Sequence, residues 1–434
     1  MPLLQDEDFL ELKESIFPLF NHTNTLESEI SLEQLFTKIP TNLEEVVYRQ
    51  DIIKGFIQNW GLLEDFNYQV INFRESYQFC SILPGISSSA NLNPLRRKIN
   101  FWFRKKSILK NRSKLVQFIL LFHHLNSRFL GRLEVKAFPL NFQKSLLPYR
   151  VITLKLQTER LASLISQNKF SGKEIHHLEQ ALLIEHRTGE LQKAWEALFA
   201  FEAYFSIAKG IIKYGFIFPT FQKVGLDVKD FYHPLLTAPV KNSLLLSKHE
   251  NVVLVTGPNM SGKSILFKSI SICVYLAHLG LAVPASACAI PFFRRLSVSI
   301  NPKDDVSSGY SHFMKELMTL KSVVLGARAG EPIFAVFDEL FKGTNADDAQ
   351  QILLRTISGL RQFKNSYFFI SSHLLHLKEQ EAVAHTDVKK YHIECQLKEG
   401  RPTFTYSLLE GWSEIKIGKI LFEQVGLKDL LSEK

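Results

Sequence analysis

The 434-residue sequence holds only four cysteines, Cys80, Cys273, Cys288 and Cys395, with no C-x-x-C pair and no clustered histidine partner. A disulfide framework and a cysteine-based zinc site are thereby excluded, and a reducing, cytoplasmic setting is expected. No internal repeat and no low-complexity tract is present, which sets aside solenoids and compositionally disordered chains. The N-terminus, MPLLQDEDFLELKES, has no basic segment followed by an apolar stretch, so a secretory signal is not expected. One stretch without Asp, Glu, Lys or Arg, Ser269 to Phe293, is interrupted by Gly280, Pro284 and Pro291. It reads as a buried helix, a turn and a strand rather than a membrane span. Acidic residues are missing altogether from Ser76 to Leu133, where eleven Lys and Arg residues stand. The formal charge of +9 is thus concentrated there, and the rest of the chain is slightly acidic.

What is present divides near Pro219. Before it, apolar residues recur at helical spacing, as in EDFLELKESIFPLF and SLEQLFTKI. Thr41 to Phe56 predicts a helix with Thr41 or Asn42 as N-cap and Glu44 and Glu45 in its first turn. Ser81 to Pro94, rich in Ser, Gly, Asn and Pro, reads as a loop. From Ser171 to about Phe216 the helical pattern runs on, with a break at Thr188-Gly189 as the alternative; continuous, it would span roughly 60 Å and serve as a lever. After Pro219, short apolar strands alternate with helices, which predicts a mostly parallel sheet covered on both faces.

The basic stretch interleaves Arg96, Arg97, Lys98, Arg104, Lys105, Lys106 and Lys110 with Phe101, Trp102 and Phe103. Cations that neutralise phosphates and aromatic faces that stack on bases would suit a nucleic acid. A solvated amphipathic helix with its aromatics inward fits the same residues.

Two motifs carry chemistry. Val252 to Val255 is a buried-strand pattern followed at once by Gly257, Pro258, Asn259, Met260, Ser261, Gly262, Lys263 and Ser264, which complete G-x-x-x-x-G-K-[ST]. Glycine permits the turn that points backbone N–H groups at phosphate oxygens, and the following helix presents its positive end. Lys263 suits the β- and γ-phosphates of ATP, and Ser264 suits Mg²⁺. The second motif, Ile333 to Leu340, ends an apolar run in Asp338-Glu339. At the C-terminal edge of a strand, Asp338 suits Mg²⁺ held with Ser264, and Glu339 suits polarisation of an attacking water.

With YHPLL at Tyr232 to Leu236, TGPNMSGKS at Thr256 to Ser264, DDVSSGYSHFMKEL at Asp304 to Leu317, FDELFKGTN at Phe337 to Asn345 and SSHLLHL at Ser371 to Leu377, the second half resembles the MutS ATPases, within the wider ABC-type ATPase class. LEEVVYRQDIIKGF and LFAFEAYFSIAK upstream are similar to that family's core and lever helices. The resemblance implies a homodimer with composite ATP sites. Ser311 would reach the γ-phosphate from the opposite subunit, His373 would sense that phosphate from a strand end, Asn259 would shape the loop, and Thr344, Asn345 and Asp348 would lie on an inter-subunit loop. Three positions depart from the family: His312 stands where Thr follows the signature Ser, Phe341-Lys342-Gly343-Thr344 replaces Gly-Arg-Gly-Thr, and Ile265 follows Ser264. Neither the N-terminal mismatch-reading domains nor the C-terminal nuclease module is expected. Phe73-Arg74-Glu75 fits the mismatch wedge as text but follows the core-like segment.

The fold expected is therefore multidomain: an all-helical core and lever domain over 1–219, and an ABC-type α/β ATPase domain over 220–434. The function implied is ATP-dependent, Mg²⁺-assisted binding of duplex or branched DNA. A ribosome- or RNA-associated ATPase and a nucleotide-gated protein-binding clamp are the alternatives, and no membrane partner is expected.

Overall fold

The computed structural model describes residues 7–87, 111–258, 260–300, 312–341, 344–372, 380–398 and 401–412, with positions 420, 422, 430 and 431. They fall into two compact units, and neither is one continuous stretch. Phe20–Thr37 and Asp51–Ile212 form one; Met1–Leu19, Lys38–Gln50 and Lys213–Lys434 form the other. The first helix of the chain, α1 (Glu7–Ile16), belongs to the latter.

The unit over Phe20–Thr37 and Asp51–Ile212 is helical. It contains α2 (Leu26–Thr37), the end of α3 (Leu43–Gln58), α4 (Trp60–Leu63) and α5 (Val70–Ser87). A further helix, α6, covers 111–125. There follow α7 (Leu140–Lys155), α8 (Thr158–Ser166), α9 (Gly172–Arg187) and most of α10 (Glu190–Tyr214). One expectation needs correction. Ser81–Ser87 is not loop but the end of α5. Extending a helix already nucleated by Val70–Cys80 is far easier than starting one, and that outweighs the local Pro and Gly. The lever pattern takes the alternative that its sequence offers, a break at Thr188-Gly189: Gly189 adopts φ +76° between α9 and α10, a conformation open to glycine, and ends the first helix there. α10 alone has 25 residues, about 37 Å.

Aromatic packing organises this unit. Trp195 on α10 is fully buried, with the rings of Phe73, Tyr77 and Phe122 edge-on to it at 5.4, 5.3 and 4.9 Å. Such pairs add about 0.5–1.5 kcal/mol each beyond the area they bury. Phe73, first residue of the Phe-Arg-Glu text, is thus a core residue.

Nearly two turns along α10, Glu202 is also fully buried. Its carboxylate accepts from the Asn24 backbone N–H at 2.6 Å, the Asn24 side-chain amide at 2.8 Å, the Ser28 hydroxyl at 2.7 Å and the Tyr68 hydroxyl at 2.5 Å. Four donors replace the water that a buried charge loses. Burial, and then the neighbouring Glu202, hold the Tyr68 phenol protonated far above its ordinary range. Ser206 accepts the His22 N–H and donates to the Phe20 carbonyl, both at 2.6 Å, so Phe20–Ser28 is stitched along α10.

The other unit is α/β. Its main sheet has the order β10-β9-β4-β8-β7-β6, built from β4 (Val252–Thr256), β6 (Arg295–Ser299), β7 (Ile333–Phe337), β8 (Tyr367–Ser372), β9 (Val388–Lys398) and β10 (Arg401–Glu410). All neighbours are parallel except the β9–β10 hairpin. Every residue of β4, β7 and β8 is buried, as a parallel sheet covered on both faces requires. Alternation then assigns faces. Phe368 and Ile370 join Leu254, Phe337, Leu353 and Ile357 in one core with α12 (His312–Arg328) and α13 (Ala346–Leu360), while Phe369 meets Phe267 of α11 (Lys263–His278). A smaller sheet, unforeseen, has the order β1-β5-β2-β3, from Thr220–Phe221, Ala287–Ile290, Leu226–Phe231 and Asn242–Leu246.

The N-terminal part of α3 belongs to this unit. Asn42 is its cap: its side-chain oxygen accepts the Glu45 N–H at 2.9 Å, and the Glu45 carboxylate returns to the Thr41 N–H at 2.8 Å. Arg49 then donates to the Leu279 carbonyl at 2.9 Å, and Gly280 is glycine of necessity, since a Cβ there would lie 2.8 Å from the Val46 carbonyl oxygen at φ +75°. Ser269–Phe293 resolves, as expected, into the buried body of α11, a turn and β5. Among the described residues no helix is long and apolar enough to cross a membrane.

His278, fully buried at the end of α11, has Nδ1 at 2.7 Å from the Val274 carbonyl and accepts the Phe293 N–H on Nε2 at 2.8 Å. Those partners demand the neutral ring, and burial drives its pKa from 6.5 down to about 4. Between those values the unfolded chain binds a proton that the folded chain does not. Stability therefore falls as pH drops through that window, by up to about 3 kcal/mol from this group. Denaturant titrations at pH 7, 5.5 and 4 should show a steeper loss for the unmodified chain than for His278→Gln; equal slopes would mean that His278 carries no such linkage.

Candidate active site

Strand register brings the chemistry together. Val255 of β4 is level with Ser371 of β8, and Phe337 of β7 with Ile370, so Asp338, next along β7, comes level with Ser371. The C-terminal ends of β4, β7 and β8 thus converge at one edge of the sheet, where ligands of open α/β sheets bind. Asp338 accepts two hydroxyls there, that of Ser264 on Oδ2 and that of Ser371 on Oδ1. Ser371 Oγ in turn accepts the Glu339 backbone N–H at 2.8 Å.

The loop between β4 and α11 is shaped by its glycines. Gly257 has φ +156° and Gly262 φ +98°, and a Cβ on Gly257 would stand 2.9 Å from Ser261 Oγ. Lys263 is 5% exposed; its ammonium donates to the Gly257 and Pro258 carbonyls at 3.0 Å each and lies 3.5 Å from Glu339 Oε1. Ser261 is fully buried, and among the described residues its hydroxyl has no hydrogen-bond partner. Met260, at φ +67°, turns its side chain outward and is 80% exposed. An unpartnered hydroxyl, a cradle that side chains would fill and a sequestered ammonium fit a polyphosphate. The Ser264 and Asp338 oxygens are hard donors of the kind Mg²⁺ takes, few in number as that ion prefers. Among the described residues no group of three or more His, Cys, Asp or Glu could hold a metal.

Of the three residues expected on an inter-subunit loop, Asn345 and Asp348 form a local cap. The Asn345 oxygen accepts the Asp348 N–H at 2.8 Å, and its amide donates to the Asp348 carboxylate at 2.6 Å, starting α13. Thr344, just before, is half-buried. Asn259, Ser311 and His373 lie outside the described residues, as do Arg96, Arg97, Lys98, Arg104, Lys105, Lys106 and Lys110.

Three contributors escaped sequence reading. Ser371 carries a signal, a hydroxyl closing the apolar run YFFIS beside the phosphate loop's strand. Glu316 of α12 is 3% exposed and accepts the Phe341 N–H at 2.9 Å. Tyr406, at φ +60° in the bulge of β10, lays its ring 3.0 Å from where a Gly262 Cβ would be. Its backbone carbonyl is held by the Asn242 amide at 3.1 Å.

Residues 253–428 match the family model of MutS domain V. "DNA mismatch repair protein MutS" of Streptococcus sanguinis is 30% identical over 196 residues, 45% of this chain and 23% of that protein. The protein of that name from Bacillus pumilus is 26% identical over 295 residues, 66% of this chain and 34% of its own length. That from Listeria monocytogenes is 27% identical over 259 residues, 58% of this chain and 30% of its own length. The chain thus spans about a quarter to a third of the curated relatives it matches. Its C-terminal half carries a MutS domain V, an ABC-type ATPase domain.

Ser371→Ala would strip a partner from both Asp338 and the Glu339 N–H. The expected cost is about 1 kcal/mol of unfolding free energy, read from denaturant midpoints, because half-buried groups lose a hydrogen-bond partner that water only partly replaces.

Proposed function

With a MutS-family ATPase domain as the premise, we propose that the chain is a homodimeric ATPase coupling ATP binding and hydrolysis to binding of duplex or branched DNA, in repair or recombination. The observation that carries the ATPase part is the convergence of Lys263, Ser264, Asp338 and Glu339 at the ends of β4 and β7. Bound ATP with Mg²⁺ supplies the phosphoryl group whose transfer to water is the reaction. The chain's own part is to hold and polarise. Backbone N–H groups of the glycine-rich loop would cradle the phosphates, Lys263 would neutralise their charge, and Ser264 and Asp338 would furnish the metal's protein oxygens. Glu339, its main chain pinned by Ser371, takes the proton of the attacking water. His373 would read the γ-phosphate, Ser311 would complete the site from the opposite subunit, and Thr344, Asn345 and Asp348 would lie on an inter-subunit loop. Closing of two such sites would drive the helical unit's grip on the nucleic acid.

The DNA part is supported by the name its relatives bear, "DNA mismatch repair protein MutS", and by the acid-free basic segment from Arg96 to Lys110. Mismatch reading is not part of the proposal.

Glu339→Gln should lower ATP turnover by about 10²- to 10⁴-fold while nucleotide still binds, the range for loss of a general base. The same variant should sediment as a dimer with ATP; a monomer at saturating nucleotide would end the composite-site reading. Neutralising Arg104, Lys105 and Lys106 together should weaken DNA binding and flatten its dependence on salt by about 0.9 for each phosphate no longer neutralised. Unchanged affinity and slope would count against DNA, and turnover stimulated by ribosomes alone would transfer the role to RNA.

A further inference from the structure

We propose that Glu316 is a positioning residue for Glu339, acting through the backbone of the turn that follows β7. This rests on the ATPase reading above and adds to it a link between α12 and the hydrolytic carboxylate.

The turn after β7 is unusual in its backbone. Glu339 has φ +54° and Phe341 φ +69°, two non-glycine residues in the left-handed region within three positions. Such conformations persist only where the surroundings over-determine them. From the sheet side, Ser371 on β8 accepts the Glu339 N–H at 2.8 Å. From the other side, Glu316 on α12 accepts the Phe341 N–H at 2.9 Å. The Phe341 ring is fully buried and stands edge-on to Phe313, 6.1 Å between centroids. Phe313 and Glu316 are three residues apart on α12, hence on one face. Glu316 is 3% exposed, and its side-chain oxygen gives the Phe341 N–H the acceptor that burial of the turn requires. The two grips fix where Glu339 leaves the sheet and so where its carboxylate stands. Because one grip belongs to α12, any shift of the start of that helix is felt at Glu339.

The test is a pair of substitutions that separate reach from charge, measured as steady-state ATP turnover with fluorescent-ADP affinity and thermal midpoint alongside. Glu316→Gln keeps an acceptor oxygen at the same reach and should hold kcat within about threefold of the unmodified chain. Glu316→Asp keeps the charge but falls short of the Phe341 amide, and should lower kcat by roughly 10- to 100-fold with KM and ADP affinity within about twofold, the signature of a misplaced group. Glu316→Ala should resemble Asp if it folds. Gln as slow as Asp, kcat unchanged in Asp, or ADP affinity lost in step with kcat would each overturn the proposal. An unmodified chain without turnover overturns both readings. Turnover abolished by Glu339→Gln yet indifferent to residue 316 overturns this one alone.

Discussion

The carboxylate of Asp338 shared between two hydroxyls is the interaction on which the edge of the α/β unit depends. Ser264 arrives from the helix after β4, Ser371 from the end of β8, and Asp338 from the end of β7. Three segments distant in sequence are thereby fastened at one point, and two of them carry a neighbour with a chemical part: Lys263 next to Ser264, Glu339 next to Asp338. The sheet's register makes the meeting possible, since a slip of one residue in β7 or β8 would turn these groups into the hydrophobic layers. Fully buried strands make such a slip costly, and the site's geometry follows from the core's.

The helical unit solves a different problem with different means. It buries a carboxylate fully, that of Glu202, and surrounds it with four hydrogen-bond donors. Its donors come from Asn24, Ser28 and Tyr68, so the carboxylate acts as a fastener between α10 and the segment that leads into α2. The aromatic packing around Trp195 supplies much of the apolar contact. One unit therefore directs its buried charge at an edge open to chemistry, the other at holding helices together.

Much of the α/β unit is legible in the sequence because buried parallel strands read as apolar runs: VVLV, IFAVF and YFFIS mark β4, β7 and β8, and the glycines of the phosphate loop declare their backbone. The smaller sheet is not legible, since its strands are short and mixed, LDVKDF and NSLLL among them. Ser81–Ser87 misleads because composition is a local signal and helix extension a cooperative one. At the site, Lys263, Ser264, Asp338 and Glu339 announce themselves by residue type and spacing. Ser371 leaves only the faint signal of a hydroxyl closing an apolar run, and Glu316 and Tyr406 leave none, because their parts depend on tertiary placement: a register, a helix face and a left-handed backbone in a bulge. A phenylalanine at φ +69°, as at Phe341, is beyond any propensity scale.

The discontinuity of the two units has a consequence for the order in which the chain assembles. Residues up to Leu19 and Lys38–Gln50 cluster with the segment after Lys213, while the helical unit is complete at Ile212. During synthesis the helical unit has all its partners first. α1 and the start of α3 must wait, with Leu12, Ile16 and Val46 uncovered, until the strands and α11 emerge some two hundred residues later. Apolar surface exposed over that interval is where chaperones and misassembly compete. A fragment cut after Pro219 would leave the α/β unit without the Arg49 hydrogen bond to Leu279 and without the Val46 backbone that Gly280 packs against, so this ATPase domain is not separable by a single cut.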